Sequence, residues 1–385
     1  MIVWWLAGIF LAVLWTSRLV AAAFGMRQLA DLTRPGWQQA PANGPGVSVI
    51  VPARNEQDGI EAGLRSLLAL DYENYEVIAV NDRSTDSTGE IIDRLAAEAP
   101  QKLKSIHIEN LPSGWLGKPH AMWRAAQQAS SDWLLFTDAD VVFHPASVAR
   151  AIHYAQQSRC DHLVLFPTMV MRGLWERTII GFFQCFFLFG YRPWKAPDPR
   201  ARDFLGVGAF NLIRRTTYEQ LGTFAALRME VIEDMKLGKL VKQHGFAQRA
   251  ALGRDLVRIR WAQGGLGVIR NLTKNFFAFM HFQWWRALGA CLGVAFLALG
   301  PYLGLALAPG AAKISYAVAL LAIFLVYVGM SRQCDIPPYY FVLHALGGVL
   351  FIYTILRSAS VTWWNDGISW RGTKYSLEEL RKGLV

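Results

Sequence analysis

Two regimes of hydrophobic and polar patterning share this chain. The first is continuous: Ile2 to Ser17 carries no charge, and the apolar run continues past Arg18 to about Gly25. That length crosses hydrocarbon, and Arg18 lies near enough to one end for its head group to reach water. No basic region precedes the stretch, so residues 1–25 predict a retained transmembrane anchor rather than a cleaved signal peptide. The same regime returns in Ala287–Ala308, Ile314–Met330 and Tyr339–Leu356, punctuated by Pro309-Gly310 and Pro337-Pro338. These charge-free runs predict a membrane block of about three helices over 276–356, followed by a tail, 357–385.

The second regime occupies residues 44–271, where short apolar runs alternate with polar loops. Val47-Ser48-Val49-Ile50-Val51 has the β-branched character of a central parallel strand. Ile60–Leu70 then shows helical spacing, Tyr75–Val80 is a second strand, and Asp86 or Ser87 can cap a helix through Ile91 and Leu95. Trp133–Thr137 is a further short buried strand. Strand, loop and helix in repetition predict a doubly wound α/β sheet. Thr178–Phe189 is apolar and aromatic but too short to span, which fits an interfacial or re-entrant segment, or a buried core helix. Gln38–Gly46 has the composition of a linker.

Composition sharpens this division. The chain has 385 residues and is 53% hydrophobic, with 15 Trp and 22 Phe, rich for a soluble enzyme. Its 39 basic against 29 acidic residues come without a basic repeat interleaved with aromatics, so nucleic acid is not an expected partner. Arg27, Arg34, Arg270, Lys274 and Arg286 instead flank apolar segments, which predicts a cytoplasmic catalytic domain in a multi-pass inner (plasma) membrane protein. Span parity conflicts with this: one anchor and three late helices leave both ends outside, whereas Arg371, Lys374, Arg381 and Lys382 place the tail inside. The Thr178–Phe189 segment is the element that would restore parity. Four scattered cysteines predict neither a disulfide framework nor a zinc site, and His107, His120 and His144 fit loop or surface positions. No dinucleotide fingerprint or Walker sequence is present.

Candidate chemistry begins at Asp138-Ala139-Asp140, directly after the Trp133–Thr137 strand. Residues two apart on a strand share a face, so both carboxylates would aim at the sheet's carboxyl edge, where open α/β sheets bind ligands. Paired oxygens there suit a hard divalent cation carrying phosphates. A solvated turn would carry the same three residues. Four other segments decide between the two: Val51-Pro52-Ala53-Arg54-Asn55-Glu56, Asn81-Asp82-Arg83-Ser84-Thr85-Asp86, Gly114-Trp115-Leu116-Gly117-Lys118, and Glu233-Asp234.

With Thr137-Asp138-Ala139-Asp140, these segments resemble, in order, an inverting family 2 glycosyltransferase of GT-A fold. The chain is most similar to membrane-bound members acting on lipids, including ceramide glucosyltransferases and hopanoid- and carotenoid-associated enzymes. The resemblance covers about Val47 to Trp261, plus Gly367–Tyr375. It implies a GT-A mixed sheet between an N-terminal anchor and C-terminal membrane helices, a UDP-sugar donor and a lipid acceptor. It implies that Pro52, Arg54, Glu56 and Asp82 line the nucleoside pocket, with Asp82 reading the uracil edge. Lys118 would serve the diphosphate. Asp140 would ligate Mn²⁺ or Mg²⁺, with Asp138 supporting it or binding ribose. Asp234 would be the general base and Glu233 its neighbour. The same residue types also serve as turns, caps and helix-dipole partners.

Relatives often carry Gln or Arg, two residues, then Arg-Trp. Here Val257 precedes Arg258-Ile259-Arg260-Trp261, so Arg260 and Trp261 stand while the first polar residue is lost. Arg260 would approach the diphosphate and Trp261 the acceptor wall, and the loss argues against processive synthesis. The expected activity is transfer of one sugar to a lipid hydroxyl or carboxyl. Phe276, Phe277, Trp284 and Trp285 stand where a lipid could enter or where an interfacial belt would lie. The alternatives are a processive polysaccharide synthase and a nucleotide-sugar-binding membrane scaffold without turnover.

Overall fold

The computed structural model describes residues 1–37, 44–370 and 372–383, together with the backbone but not the side chain of Trp370. Most of the expected Gln38–Gly46 linker, and Arg371 of the tail, lie outside the described residues. The chain falls into two compact units, each discontinuous in sequence.

One unit comprises residues 29–168, 193–260 and 369–385. Its centre is a sheet of eight strands: β1 (Ala30–Asp31), β2 (Val47–Ala53), β3 (Tyr75–Asp82), β4 (Leu103–Ile108), β5 (Trp133–Phe136), β6 (His162–Phe166), β7 (Asn211–Arg214) and β8 (Gln248–Leu252). The spatial order is β1-β8-β6-β7-β5-β2-β3-β4, and β7 alone runs antiparallel to its neighbours. This is the expected mixed α/β sheet of GT-A type. The β-branched run of β2 is buried along its whole length, as a strand covered on both faces requires. Pro52 is tolerated within it because pairing to β5 stops at Ile50, whose carbonyl accepts from Thr137. Pro52 faces the same side two residues later, where no ladder bond is owed.

The helices read as their spacing predicts. Ile60–Leu68 buries Ile60, Gly63, Leu64 and Leu67, and Thr88–Glu98 buries Thr88, Ile92 and Leu95. The 117–128 helix lays Ala121, Met122 and Ala125 over Ile50, Ile78, Val80, Leu134 and Phe136. Each of the larger side chains contributes roughly 1.5–3 kcal/mol by leaving water, and each alanine methyl under about 1 kcal/mol. Across β6, β7 and β8 a buried polar line joins Gln248 Nε2, His162 Nδ1 (2.8 Å) and, through His162 Nε2, the Asn211 carboxamide oxygen. Burial pushes the His162 imidazole down to about 4, and the neutral ring protonated on Nε2 satisfies both partners.

The other unit comprises residues 1–28, 169–192 and 261–368. Four of its helices are long and apolar enough to cross a membrane: Ile2–Gln28, Trp284–Leu307, Gly310–Met330 and Pro338–Trp364. Between Trp284 and Leu307 the turn widens to a π-helix over Ala295–Leu299, just before Pro301. Proline has no N–H to give the carbonyl four residues back, which is Leu297. The Trp15 indole donates to that carbonyl at 3.1 Å, and the Tyr316 hydroxyl donates to the Trp4 carbonyl at 2.8 Å. In hydrocarbon the Leu297 carbonyl, denied the proline N–H, gains such a donor, whereas the Trp4 carbonyl sits within the Ile2–Gly25 helix and takes the hydroxyl as a second one. The apolar 178–189 segment lies within a 17-residue helix, Leu174–Gly190, whose buried Phe182 packs against Phe351 at 5.3 Å between ring centres.

Candidate active site

The loops at the carboxyl ends of β2 and β3 are laced together. Asn55, with φ +53°, turns so that its main-chain N–H donates to Ser84 Oγ while its side chain accepts from Thr85 N at 2.8 Å. Glu56 N donates to Thr88 Oγ1 at 2.8 Å, and Asp86 accepts from both Gln57 N and Thr88 N. Asp86 is therefore a brace between loops. Pro52, Arg54, Glu56 and Asp82 all lie at this one edge of the sheet.

Asp82 is 4% exposed at the tip of β3. Arg83 grips it bidentately, Nε to Oδ1 at 2.7 Å and Nη2 to Oδ2 at 3.0 Å, a charge-assisted fork that fixes the carboxylate plane. Gly117 crosses directly beside the pair; a Cβ there would stand 2.5 Å from Asp82 Oδ2 and 2.8 Å from Arg83 Nη2. His120, expected in a loop or at the surface, is instead buried in the 117–128 helix, with Trp115 and Trp123 at 5.4 and 6.0 Å between ring centres. Burial lowers its imidazole below the usual histidine range.

A second cluster forms one residue further along. Lys118 Nζ lies 2.6 Å from Asp138 Oδ1 and 2.7 Å from Glu233 Oε1. Burial alone would strip its proton; Asp138, Glu233 and Asp234 outweigh that and hold the ammonium charged far above the usual lysine range. Asp234 follows Glu233 at the first turn of the Glu233–Gln243 helix, and its Oδ1 accepts from Met235 N at 2.7 Å. Burial and the adjacent Glu233 carboxylate raise the Asp234 carboxyl well above the usual range, against the opposing pull of Lys118. The helix start is seated by Phe204–Gly208: a Cβ on Gly206 would collide with the Asp234 carbonyl at 1.7 Å, so only glycine passes there.

The two aspartates of Asp138-Ala139-Asp140 do not share a strand face, because β5 ends at Phe136 and Ala139-Asp140 forms a turn. Asp138 faces Lys118, while Asp140 lies against Gly59. Among the described residues no group of three or more His, Cys, Asp or Glu forms a cage for a metal. The donor set nonetheless fits a hard divalent cation, which is commonly held by one or two carboxylates while substrate phosphates complete its shell. Asp138 and Glu233 pair directly with Lys118, and Asp234 lies in the same electrostatic neighbourhood.

Arg260 directly follows the strand Val257–Ile259, and the next residue, Trp261, begins a segment of the other unit. There its ring packs on Phe183 at 5.4 Å and its carbonyl accepts from Asn271 Nδ2 at 2.6 Å. Gly206 and Asn211 escaped the sequence reading, and Arg83 and Gly117 stood within its quoted segments without a role; Gly206-x-Gly208 just ahead of an apolar strand was the one local sign.

Residues 48–235 match the model of the glycosyl transferase family 2. The 4,4'-diaponeurosporenoate glycosyltransferase of Staphylococcus haemolyticus is 26% identical over 60% of this chain and 60% of its own length. Its namesake from Staphylococcus aureus (strain MRSA252) is 22% identical over 88% of this chain and 90% of its own. Among solved structures, a mannosyltransferase from Pyrobaculum calidifontis in complex with GDP-Man and Mn²⁺ is 19% identical, with 89% of this chain and 99% of that one covered at a TM-score of 0.49. Over residues 48–235, just under half of the chain, this mixed α/β protein is thus similar to the family 2 glycosyltransferases.

Proposed function

We propose that the protein is a multi-pass enzyme of the inner (plasma) membrane that moves one sugar from a UDP-sugar to a lipid acceptor with inversion, its catalytic unit facing the cytoplasm. The observation that carries this reading is the Lys118 ammonium held between Asp138 and Glu233, beside Asp234, at the carboxyl edge of the sheet. Asp82 accepts an N–H of the base, with Pro52, Arg54 and Glu56 around the nucleoside. Lys118 turns from its carboxylates to the diphosphate, as a flexible point charge can. Asp140 and Asp138 would hold Mn²⁺ or Mg²⁺, whose charge would offset that growing on the diphosphate. Asp234 takes the acceptor's hydroxyl proton while the acceptor oxygen attacks the anomeric carbon. The bond to UDP breaks with its electron pair leaving on the β-phosphate. Arg260 serves the diphosphate and Trp261 the acceptor wall.

The acceptor class rests on the membrane helices and on the two named relatives. The substrate in their name is a carboxylate. An acceptor of that kind is already ionised, and Asp234 would then orient it rather than deprotonate it. The test is label transfer from a panel of UDP-sugars, with Mn²⁺ or Mg²⁺, into solvent-extractable lipid. Membranes with the native chain should label lipid from one donor, and Asp234→Asn membranes should not with a hydroxyl acceptor. No labelled lipid from any donor, with a competent acceptor extract, would sink the reading.

A further inference from the structure

The Gly367–Tyr375 stretch of the tail has no part in the chemistry above, yet its last three residues stand among the loops that ring Asp82. The Gly117 N–H donates to the Tyr375 phenol oxygen at 3.2 Å in buried surroundings. Arg83 and Tyr375 line the same cavity beside this contact, and Arg54 Nη1 donates to Thr373 Oγ1 at 3.3 Å. Tyr375 is 7% exposed. It is held there by a folded element: the short helix Leu377–Lys382 has a full capping box between Ser376 and Glu379, and its Leu380 is entirely buried. Thr373, Tyr375 and Arg83 also line a polar cavity of about 380 Å³ with Glu109, Trp115 and Glu379.

We infer that Tyr375 is a positioning residue of the donor site: its hydroxyl ties the first N–H of the 117–128 helix, at the point where Gly117 passes against Asp82 and Arg83. This rests on the donor reading given above and deepens it. The bond fixes Gly117 beside the Asp82 carboxylate, and so the start of the lysine side chain that serves the diphosphate. Phenylalanine would keep the ring's packing and lose this bond, leaving a buried N–H without its acceptor.

The test uses the full chain in detergent, with UDP binding measured by calorimetry and donor kinetics alongside. Tyr375→Phe should raise the UDP Kd and the donor KM by the same factor, on the order of tenfold, with a smaller change in kcat. Asp82→Ala should raise the UDP Kd further, and adding Tyr375→Phe to it should cost less than Tyr375→Phe alone, because the Gly117 backbone that the phenol fixes packs against that carboxylate. If Asp82→Ala weakens UDP and Tyr375→Phe does not, the inference falls and the donor reading stands. If neither changes the UDP Kd, the donor reading falls and takes the inference with it. A lower melting temperature for Tyr375→Phe at unchanged Kd would make Tyr375 a packing residue only and overturn the inference.

Discussion

Strand β3 carries a carboxylate near each end, Glu76 half-buried and Asp82 buried, and the two are treated in opposite ways. Glu76, near its amino end, is saturated. It accepts from Ser48 Oγ at 2.7 Å, from Ser130 N and Oγ at 2.8 and 2.7 Å, and pairs with Lys104 at 2.6 Å. Burial works against its charge, yet Lys104, Ser130 and Ser48 together hold it down to about 2. Asp82, six residues along on the same face, meets the Arg83 fork and the passing backbone of Gly117. Lys118, the residue after Gly117, is shared between Asp138 and Glu233. The amino edge closes its electrostatics with partners from β2, β4 and the approach to β5. The carboxyl edge gathers a buried lysine, its carboxylates and the raised Asp234 carboxyl in one place, the kind of perturbed cluster found at functional sites.

Removing a group at the carboxyl edge should therefore cost activity, and at the amino edge stability. With a hydroxyl acceptor, Asp234→Asn should lower the transfer rate by about 10³-fold, within the range for a lost general base, at unchanged melting temperature. Chelation of divalent cations should abolish transfer, and Asp140→Ala should shift the metal concentration needed to restore it. Lys118→Met should reduce transfer by about 10²-fold, seen in kcat/KM for the donor. Because the Asp234 carboxyl is raised, the rate with a hydroxyl acceptor should keep climbing with pH after ordinary carboxylates have ionised. A carboxylate acceptor should show no such rise, and identical profiles for both would remove Asp234 as base. Glu76→Gln should leave the donor KM alone and lower stability by about 3 kcal/mol near neutral pH, read as a melting shift. Glu76's folded value is depressed, so its contribution is complete above the unfolded value near 4.3 and fades as pH falls through about 2.

The strands and their helices were legible because local period and burial coincide: β2 and β3 begin where the β-branched runs begin. The site was legible as far as residue types went. Its geometry was not, since strand alternation ceased to apply two residues before Asp138. Nothing local reveals that Tyr375 meets Gly117, 258 residues earlier. That contact also bears on span parity. The tail belongs to the same compact unit as β1–β8, as do the residues on both sides of the Leu174–Gly190 helix. If that unit lies whole on one side of a membrane, the Leu174–Gly190 helix returns to the side it entered from and residues 261–368 cross an even number of times. A reporter fused after Val385 should accordingly face the same side as the catalytic unit.

The indole of Trp15 and the carbonyl of Trp4 have a further consequence, one of timing. Their partners, Leu297 and Tyr316, are made 282 and 312 residues later. These two bonds can therefore form only after most of the intervening chain has been made, well after the Trp15 ring can meet Phe189. A generic apolar helix in place of Ile2–Gly25 would leave the Leu297 carbonyl without this donor.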